Sequence, residues 1–311
     1  MNRPVAALVY THRFLYMVAI AVVGATGMLG RPVTDAFIQA GFRVRVLARN
    51  VAQARALFPL ADVVPGDLCQ PDQLRTALTG VDAVYLNLSV KPNERPTDFH
   101  TETEGLRHLL TVATTLGIGR IGYLSSLVMR YQGMNGFDWW VFRVKHEAVR
   151  LIKTSGIPYS IFYPSCFMES LNRTQRLGRY VLLVDQSPVR PWYVSAQDYG
   201  RQVVRAFRQA QPGWLQEYVI QGPEPLMQHE AARRFVRAYP HETLSLLTAP
   251  GWLMRLGRPL SAQAGYGWHI TEALNRYPEA FEAGQTWAEL GKPTITIEQF
   301  AQTIARPADT P

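Results

Sequence analysis

The hydrophobic pattern changes period several times along the chain, and the first change marks a strand, a turn and a helix. An unbroken apolar run at residues 18–23 indicates a buried β-strand. Apolar residues then recur at the spacing of one helix face, at Leu29, Val33, Ala36, Phe37 and Ala40. Gly41 ends this helix, and a β-branched run at residues 44–47 predicts a second strand directly after it.

The same alternation continues through the first half of the chain. Short apolar runs predict four further strands, at residues 61–64, 83–88, 118–125 and 159–163. Helical spacing predicts helices at residues 51–57, 71–78 and 139–153. A longer helix lies after the fourth strand, and Thr101 and Glu104 can form its capping box if it starts there. Strands that alternate with helices predict the α/β class, with a Rossmann-type doubly wound parallel sheet.

Beyond Pro164 the regular alternation ends, and a second, smaller part of the chain is expected. Residues 1–16 are an N-terminal extension, and residues 17–164 are a Rossmann domain that residues 190–212 rejoin. Residues 165–189 and 213–311 together form a smaller mixed α/β lobe. The lobe is expected to lie over the strand ends and to form a substrate-binding cleft there.

Three elements of this later part have local signals. Ser195 can cap a helix at residues 196–209, with Asp198 completing the capping box, and this helix is expected to rejoin the first domain. Apolar residues at 190–194 and 217–220 predict short strands, and we assign the second of them to the smaller lobe.

The turn between the first strand and the first helix carries the strongest functional signal. It contains Gly24, Thr26, Gly27, Met28, Leu29 and Gly30, with the spacing G-x-x-G-x-x-G. The first turn of a helix leaves N–H groups unpaired at the positive end of its dipole, where a pyrophosphate can bind. A Cβ at Gly24 or Gly27 would hold the phosphates away, and one at Gly30 would separate helix from strand. A tight turn without a ligand is the alternative, but the flanking strand and helix favour a dinucleotide site.

The end of the second strand bears on which dinucleotide binds. An NAD site usually places an Asp or Glu there to bind the ribose hydroxyls. This chain has Ala48, Arg49 and Asn50 instead, and a guanidinium is suited to pairing with a 2′-phosphate. We therefore predict NADP, with NAD less favoured, Arg49 as the phosphate partner and Arg31 as a second candidate. A solvated surface arginine is the alternative interpretation of Arg49.

Two further strand ends supply candidate cofactor contacts. Asp67 and Leu68 follow the third strand, where Asp67 would face the adenine. Asn87, Leu88 and Ser89 lie at the end of the fourth strand. Ligands of open parallel sheets bind beyond the carboxyl ends of the strands, so all five residues are candidates.

Composition narrows the classes of function. The chain has 311 residues, of which 47% are hydrophobic and 18% charged, as is typical of a globular protein. Its formal net charge of +8 suits an anionic cofactor. The basic residues are dispersed and no DNA-binding motif is recognisable, so nucleic acid is an unfavoured partner. No group of His, Cys or carboxylates has metal-ligand spacing, and no metal is predicted.

The cysteine count and the N-terminal pattern bear on location. Two cysteines, Cys69 and Cys166, are too few for a disulfide framework, and a reducing cytoplasm is the expected compartment. The apolar run at 18–23 follows basic residues as in a signal peptide, but cleavage would destroy the glycine turn. The run is also too short to span a membrane, so no membrane contact is predicted. Residues 1–16 are expected to be an extension, with Met17 as a candidate natural start.

Lys145 is the best candidate for a catalytic group. It lies on the predicted helix before the last core strand. A lysine there can bond a nicotinamide ribose and, partly desolvated beside cofactor and substrate, can give or accept a proton. Taken alone, a lysine beside an apolar stripe is more often a surface residue with a buried stem.

Four segments together resemble a known family. They are GATGMLG at 24–30, the strand that ends in Arg49, GDL at 66–68, and KHEAVRLIKTSGIPYSIFYPSCFMES at 145–170. Over about residues 17–300 the chain resembles the NmrA-like, atypical short-chain dehydrogenase/reductase group, and it is similar to isoflavone-reductase-like enzymes too. The resemblance implies that Lys145 is catalytic. It also implies that the loop at 164–167 lines the nicotinamide pocket, which makes Tyr163, Pro164 and Phe167 candidate cofactor contacts.

One departure from this family bears on the reaction. Typical short-chain dehydrogenases have Tyr-x-x-x-Lys, whose tyrosine gives the proton, but Val141 holds that position here. Ser125 or Ser126 matches the family serine, and we interpret it as structural or ribose-contacting. We expect an oxidoreductase that transfers hydride from NADPH to a small quinone, enone or related unsaturated substrate. The alternative is a non-catalytic NADP redox sensor that acts through a protein partner.

Two other features lie near the predicted pocket. Cys166 can be redox-active, but we interpret it as a small buried residue. Trp139, Trp140, Tyr266 and Trp268 can form a flat wall for the substrate or pack in the core.

Overall fold

The computed structural model describes residues 18–257 and 261–304. The expected extension at 1–16 and the candidate start at Met17 lie outside the described residues. Within the two described ranges, no helix is long and apolar enough to cross a membrane.

Strands of the described residues form two sheets. The strands are β1 (Ala19–Val23), β2 (Arg43–Ala48), β3 (Asp62–Pro65), β4 (Ala83–Leu86), β5 (Arg120–Leu124), β6 (Tyr159–Pro164), β7 (Arg176–Leu177), β8 (Tyr180–Val184), β9 (Leu215–Ile220) and β10 (Ser245–Ala249). The larger sheet has seven strands, all parallel, in the order β3-β2-β1-β4-β5-β6-β9. The predicted Rossmann-type α/β class is therefore confirmed.

Helices connect most of these strands. They are α1 (Gly30–Gln39), α2 (Val51–Leu57), α3 (Pro71–Leu78), α4 (Leu106–Thr115), α5 (Trp140–Thr154), α6 (Glu169–Asn172), α7 (Ala196–Gln209), α8 (Gln228–Ala238), α9 (Gly251–Gly257), α10 (Ala262–Arg276), α11 (Gly284–Leu290) and α12 (Ile297–Thr303). Short 3₁₀ turns at Leu127–Tyr131 and Met134–Gly136 join β5 to α5.

Both faces of the large sheet are covered by helices. α3, α4 and α5 pack on one face, where Leu109 and Ile152 are fully buried. α1, α2 and α7 pack on the other, where Phe37 and Phe207 meet edge to face with ring centroids 5.3 Å apart. β1, β4, β5 and β6 are buried along their whole length, and β1 and β4 are accordingly unbroken apolar runs in the sequence.

The seventh strand corrects one assignment made from the sequence. The predicted strand at 217–220 was assigned to the smaller lobe, but it is part of β9, which pairs with β6 in the large sheet. Tyr159 lies opposite Leu215 at one end of this pair, and Pro164 lies opposite Ile220 at the other. An edge strand has a partner on one side only, and its own sequence does not identify that partner.

The predicted strand at 190–194 was wrong. Within this described segment, Trp192 and Val194 make isolated bridges and no strand forms. Pro191 has no N–H to donate, and the Trp192 N–H goes to the Ser165 hydroxyl at 3.1 Å. The segment therefore crosses the molecule as an irregular connection.

The capping box predicted for a helix start at Thr101 does not form. A π-helical turn, Thr101–Gly105, precedes α4, and its N-cap is His100. The Gly105 N–H donates to the His100 carbonyl at 3.2 Å, which is the five-residue spacing of a π-turn. The Glu104 carboxylate accepts the His100 N–H at 2.9 Å. Glu104 thus bonds to the N-cap residue as predicted, but that residue is His100, one position before Thr101.

A second, smaller sheet lies in the later part of the chain. Its order is β10-β8-β7, with β8 parallel to β10 and antiparallel to β7. Leu183 of β8, Phe235 of α8 and Phe300 of α12 belong to one hydrophobic core, separate from the two that flank the large sheet.

Asp198 ties the last described segment to α7. The Ser195 hydroxyl oxygen accepts the Asp198 N–H at 3.1 Å, which confirms the predicted N-cap. The Asp198 carboxylate does not complete the capping box, because it accepts the N–H groups of Thr294 at 3.1 Å and Ile295 at 2.8 Å. It is 3% exposed, so these bonds form away from water.

We expect Asp198→Ala to lower the free energy of unfolding by about 2–3 kcal/mol, because two sheltered N–H groups lose a charged acceptor. Urea denaturation followed by circular dichroism measures this loss. Asp72→Ala is the matched control, since Asp72 is also in the first turn of a helix but is exposed. Its loss should stay below about 1 kcal/mol. Equal losses of unfolding free energy in the two variants would contradict a stabilising role for the Asp198 bonds to Thr294 and Ile295.

Candidate functional site

The glycine turn lies on the surface at the carboxyl end of β1. Thr26, Gly27 and Met28 are exposed, and Leu29 is half-buried at the N-cap of α1. No side chain of the described residues caps α1, and its first turn has no acidic residue. Helices usually satisfy their first N–H groups with a side chain, so an uncapped start leaves amides for an anion. The turn therefore fits the phosphates of a dinucleotide.

Two of the three glycines are required by the protein itself. A Cβ at Gly24, whose φ is +79°, would lie 2.2 Å from the Asn87 carbonyl oxygen. A Cβ at Gly30 would lie 2.0 Å from the Gly24 carbonyl oxygen. At Gly27 the nearest atom is 3.3 Å away, and that glycine is exposed. Of the three positions, Gly27 is the one where a Cβ would require only a small shift of its neighbours, the Gly24 carbonyl and the Asn87 side-chain amide.

The ends of β2 and β3 lie together beside this turn. The Gly66 N–H donates to the Ala48 carbonyl at 3.2 Å, which joins the two strand ends. Arg49 is exposed and makes no ion pair with any residue in the described ranges. The Asp67 carboxylate accepts the Cys69 N–H at 3.0 Å, while Leu68 is buried. Arg49 is thus available to an anion, whereas Asp67 is held within its own turn.

The end of β4 is in direct contact with the glycine turn. The Asn87 N–H donates to the Val23 carbonyl at 3.0 Å, and its side-chain amide donates to the Gly24 carbonyl at 3.3 Å. Leu88 is buried, and Ser89 is exposed. Ser89 therefore presents a polar group at this edge of the sheet, and Leu88 supports it from the core.

Lys145 lies at the same edge, held by a buried carboxylate. Its Nζ is 2.8 Å from Oε1 of Glu102, and the two side chains are 14% and 0% exposed. The Tyr123 hydroxyl donates to the same oxygen at 2.6 Å, and the Val90 N–H donates to Oε2 at 3.2 Å. Tyr123 is on β5 and Val90 follows β4. Lys145 is therefore fixed beside the ends of these strands, and it is not a solvated surface lysine.

Glu102 and Tyr123 are the residues that the sequence analysis missed. Burial raises the pKa of Tyr123 well above its usual value, and the Glu102 carboxylate raises it further. The phenol therefore stays protonated and donates a hydrogen bond to Glu102. A signal existed in the sequence, because Glu102 lies four and seven positions before the core residues Leu106 and Leu109. A charge on the core face of a helix requires a partner.

The predicted contacts at the end of β6 and just after it, Tyr163, Pro164 and Phe167, point in different directions. The Tyr163 hydroxyl donates to Glu217 at 2.7 Å, on the neighbouring strand β9. The ring of Phe167 packs edge to face against Tyr199, with centroids 5.4 Å apart. Pro164 alone of the three predicted residues lines a cavity at the strand ends. A cofactor contact with Tyr163 or Phe167 would thus use their backbone atoms.

This cavity has a volume of about 180 Å³. Its wall contains Ser126, Pro164, Ser165, Cys166, Gln175, Tyr193, Gln228, Ile270, Tyr277 and Glu279 among others. Glu279 accepts the Ser165 hydroxyl at 2.7 Å, and burial raises the pKa of its carboxyl. Burial also raises the pKa of the Cys166 thiol, which opposes the reactive thiolate form. The cavity is small and mostly lined by neutral polar and apolar groups.

A second cavity has a volume of about 420 Å³. Three of the aromatic residues considered for a flat substrate wall line it, namely Trp139, Trp140 and Tyr266. Trp139 is also 3% exposed and stacks on His269, with ring centroids 5.5 Å apart. The aromatic group thus serves both as cavity wall and as core.

The position that lacks the family tyrosine is closed to solvent. Val141 is 2% exposed and belongs to the hydrophobic core next to α5. Its side chain has no proton to give. Ser125 does not replace the tyrosine either, because its buried hydroxyl contacts the Met129 sulfur at 3.3 Å.

Comparison with known families decides the assignment. A family model described as NAD(P)H-binding matches residues 24–210. The chain belongs to this NAD(P)H-binding family. The matched range includes the glycine turn, Arg49 and Lys145, and the resemblance to atypical short-chain dehydrogenase/reductases is confirmed. Within the described residues, no group of His, Cys, Asp and Glu is placed to hold a metal ion.

Individual relatives differ in how much of the chain they share. The photosystem II assembly factor Ycf39 of Cyanophora paradoxa is 30% identical over 174 residues, which are 55% of this chain and 51% of that protein. The NAD(P)H azoreductase of Xenophilus azovorans is 26% identical over 303 residues, 92% of this chain and 98% of that protein. The chain therefore spans about half the length of the assembly factor and nearly all of the azoreductase.

A solved structure shows the same fold. The NADPH-dependent quinone oxidoreductase of Escherichia coli, crystallised with NADPH, has a TM-score of 0.69 at 18% identity. The similarity covers 91% of this chain and 98% of that chain. At this identity the similarity shows the fold alone.

We expect Gly27→Ala to fold with a smaller loss of stability than Gly30→Ala and to weaken NADPH binding by about tenfold, because its Cβ presses on the Gly24 carbonyl and shifts the exposed turn whose amides face the phosphates. Fluorescence titration with NADPH measures the affinity. Gly30→Ala is the matched comparison, and it should lower the free energy of unfolding by about 2–4 kcal/mol because its Cβ meets backbone. A Gly27→Ala variant with unchanged affinity would contradict this account of the turn.

Proposed function

We propose that this protein is an NADPH-dependent oxidoreductase that transfers hydride to a small quinone, enone or related unsaturated substrate. The proposal rests on two features of α5, the position of Lys145 and the valine at the family tyrosine position. Lys145 is fixed beside the ends of β4 and β5, and Val141 leaves no proton donor at the tyrosine position. A conjugated acceptor takes hydride without a strong acid beside it, whereas a simple ketone relies on one.

The cofactor contacts follow the carboxyl edge of the sheet. We assign them to Gly24, Thr26, Gly27, Met28, Leu29, Gly30, Arg49, Asp67, Leu68, Asn87, Leu88, Ser89, Lys145, Tyr163, Pro164 and Phe167. The amides of the glycine turn bind the pyrophosphate. Arg49 binds the 2′-phosphate, which favours NADP over NAD, and Asp67 and Leu68 border the adenine.

The protein's part in the reaction is to position groups and exclude water. NADPH, when bound, supplies the hydride. The amine of Lys145 donates to the nicotinamide ribose, and the small cavity after β6 holds the substrate close to the strand ends. Ser126 on its wall can donate to a substrate oxygen on which negative charge develops, whereas the Ser165 hydroxyl already donates to Glu279.

Two relatives support the class of acceptor. By their names, one relative of nearly equal length is an NAD(P)H azoreductase, and the quinone oxidoreductase uses NADPH. Azo and quinone groups are both conjugated, unsaturated acceptors of hydride. A cavity of about 180 Å³ suits one such small group.

A non-catalytic redox sensor is the second candidate. The buried Val141 favours it, because the family's proton donor is lost. The assembly factor Ycf39 matches about half of this chain, and its name describes a role in assembly. In this case the protein binds NADP without turnover and acts through a protein partner.

We expect Arg49→Ala to weaken NADPH binding by about 10- to 100-fold, because it removes a charge-assisted bond to phosphate. The affinity for NADH should change by less than about twofold, since NADH lacks that phosphate. Arg55→Ala is the control, as Arg55 is another exposed arginine, on the next helix. Parallel losses for NADPH and NADH would contradict the assignment of Arg49.

We expect the purified protein to oxidise NADPH when small quinones or enones are added, and Lys145→Ala to lower kcat by about 100-fold. NADPH should still bind, about fivefold more weakly, which corresponds to the loss of one hydrogen bond. Absorbance at the nicotinamide band measures turnover. Lys153→Ala is the control, because Lys153 is on the same helix but pairs with Glu217 at the surface. Tight NADPH binding with no turnover across a broad acceptor panel would favour the sensor.

A further inference from the structure

We infer that Glu102 is the positioning residue of the site, which aims the Lys145 amine, and that Tyr123 in turn fixes Glu102. This inference rests on the proposed function, because it assigns how the nicotinamide-side lysine is held. Its evidence is a buried set of three side chains from three elements. Glu102 is on the π-turn before α4, Tyr123 on β5 and Lys145 on α5.

The carboxylate of Glu102 is fully paired although it is completely buried. Oε1 accepts Lys145 at 2.8 Å and Tyr123 at 2.6 Å, and Oε2 accepts the Val90 N–H at 3.2 Å. A buried carboxylate without partners is strongly unfavourable, so its three donors hold it in one position. The Tyr123 and Val90 bonds come from the rigid sheet and the strand end. Glu102 therefore transmits the geometry of the sheet to the lysine.

The π-turn explains how a charged residue comes to lie there. Gly105 closes the turn on His100 and packs against the nucleotide-side segment, since a Cβ at Gly105 would be 2.9 Å from the Leu68 Cβ. The wider turn brings the start of the helix against residues that follow β3 and β4. π-turns inside helices are frequent at functional sites. The irregular turn thus places Glu102 inside and the neighbouring Glu104 outside.

The arrangement leaves Lys145 with donors to spare. An ammonium has three N–H groups, and one of them is directed to Glu102. The side chain is 14% exposed, so the amine is not enclosed on every side. The other two N–H groups have no hydrogen-bond partner within the described residues, so a bound cofactor can accept them. Glu102 thereby supplies the orientation of Lys145 that a flexible four-carbon stem does not have by itself.

The test is a double-mutant cycle with Glu102→Gln and Lys145→Ala, read by NADPH affinity and by steady-state kinetics. We expect Glu102→Gln to lower kcat by about tenfold and NADPH affinity by about threefold, with KM for the acceptor changed less than about twofold. In the Lys145→Ala background the same change should have less than about a twofold effect on either quantity. A merely structural Glu102 would produce equal losses in both backgrounds, and that result would overturn the inference.

Two variants keep the experiment decisive. Tyr123→Phe preserves volume and removes one donor to Glu102, so its effect should have the same sign and also vanish without Lys145. It is the substitute if Glu102→Gln does not fold, as judged by circular dichroism. Glu104→Gln is the matched control, because Glu104 is exposed on the same turn and, within residues 18–257 and 261–304, its side chain bonds to His100 and Thr103 and not to Lys145.

The outcomes separate this inference from the proposed function. If the unmodified protein binds NADPH but never turns over, the proposed function fails, and the coupling between Glu102 and Lys145 is still read from the affinities. If turnover is present and the two substitutions act independently in both readouts, Glu102 does not position Lys145, while the oxidoreductase proposal stands.

Discussion

The site depends on how closely three chain segments approach one another at the end of β1. The Gly24 carbonyl is within reach of the Asn87 side-chain amide, and neither Gly24 nor Gly30 has room for a Cβ. This contact joins the first strand, the first helix and the fourth strand at one point. Because parallel strands all present their carboxyl ends there, one local constraint brings the glycine turn, Asn87 and Ser89 to the same edge.

Lys145, the charged group at this edge, comes from a helix on the opposite face of the sheet from α1. Lys145 approaches on α5, and a buried carboxylate holds it beside β4 and β5. The exposed glycine turn at one end and the Lys145 amine at the other fit a long dinucleotide laid across the strand ends. Val141 supplies no proton donor, so the reaction proposed for this site has to proceed without an acid at the family tyrosine position.

Features set by neighbouring residues could be predicted from the sequence, whereas features set by contacts between distant residues could not. The bounds of α2 and α3 agree with their predictions, because Asn50 caps the first and Pro71 opens the second. The glycine turn and Lys145 were likewise visible as motifs. Glu102 was not, since its partner is 43 residues away in the chain. The directions of Tyr163 and Phe167 also depended on tertiary packing, and the sheet that β9 joins depended on a distant partner.

The position of β9 has a consequence for how such proteins diversify. The nucleotide-binding sheet is not finished until residue 220, after the chain has already made β7 and β8 of the second sheet. The segments of the two sheets therefore alternate along the chain. Neither sheet corresponds to one continuous segment that could be replaced by an end-to-end gene fusion. New substrate preferences have to arise within the existing framework, through side-chain replacement and loop insertion around the strand ends.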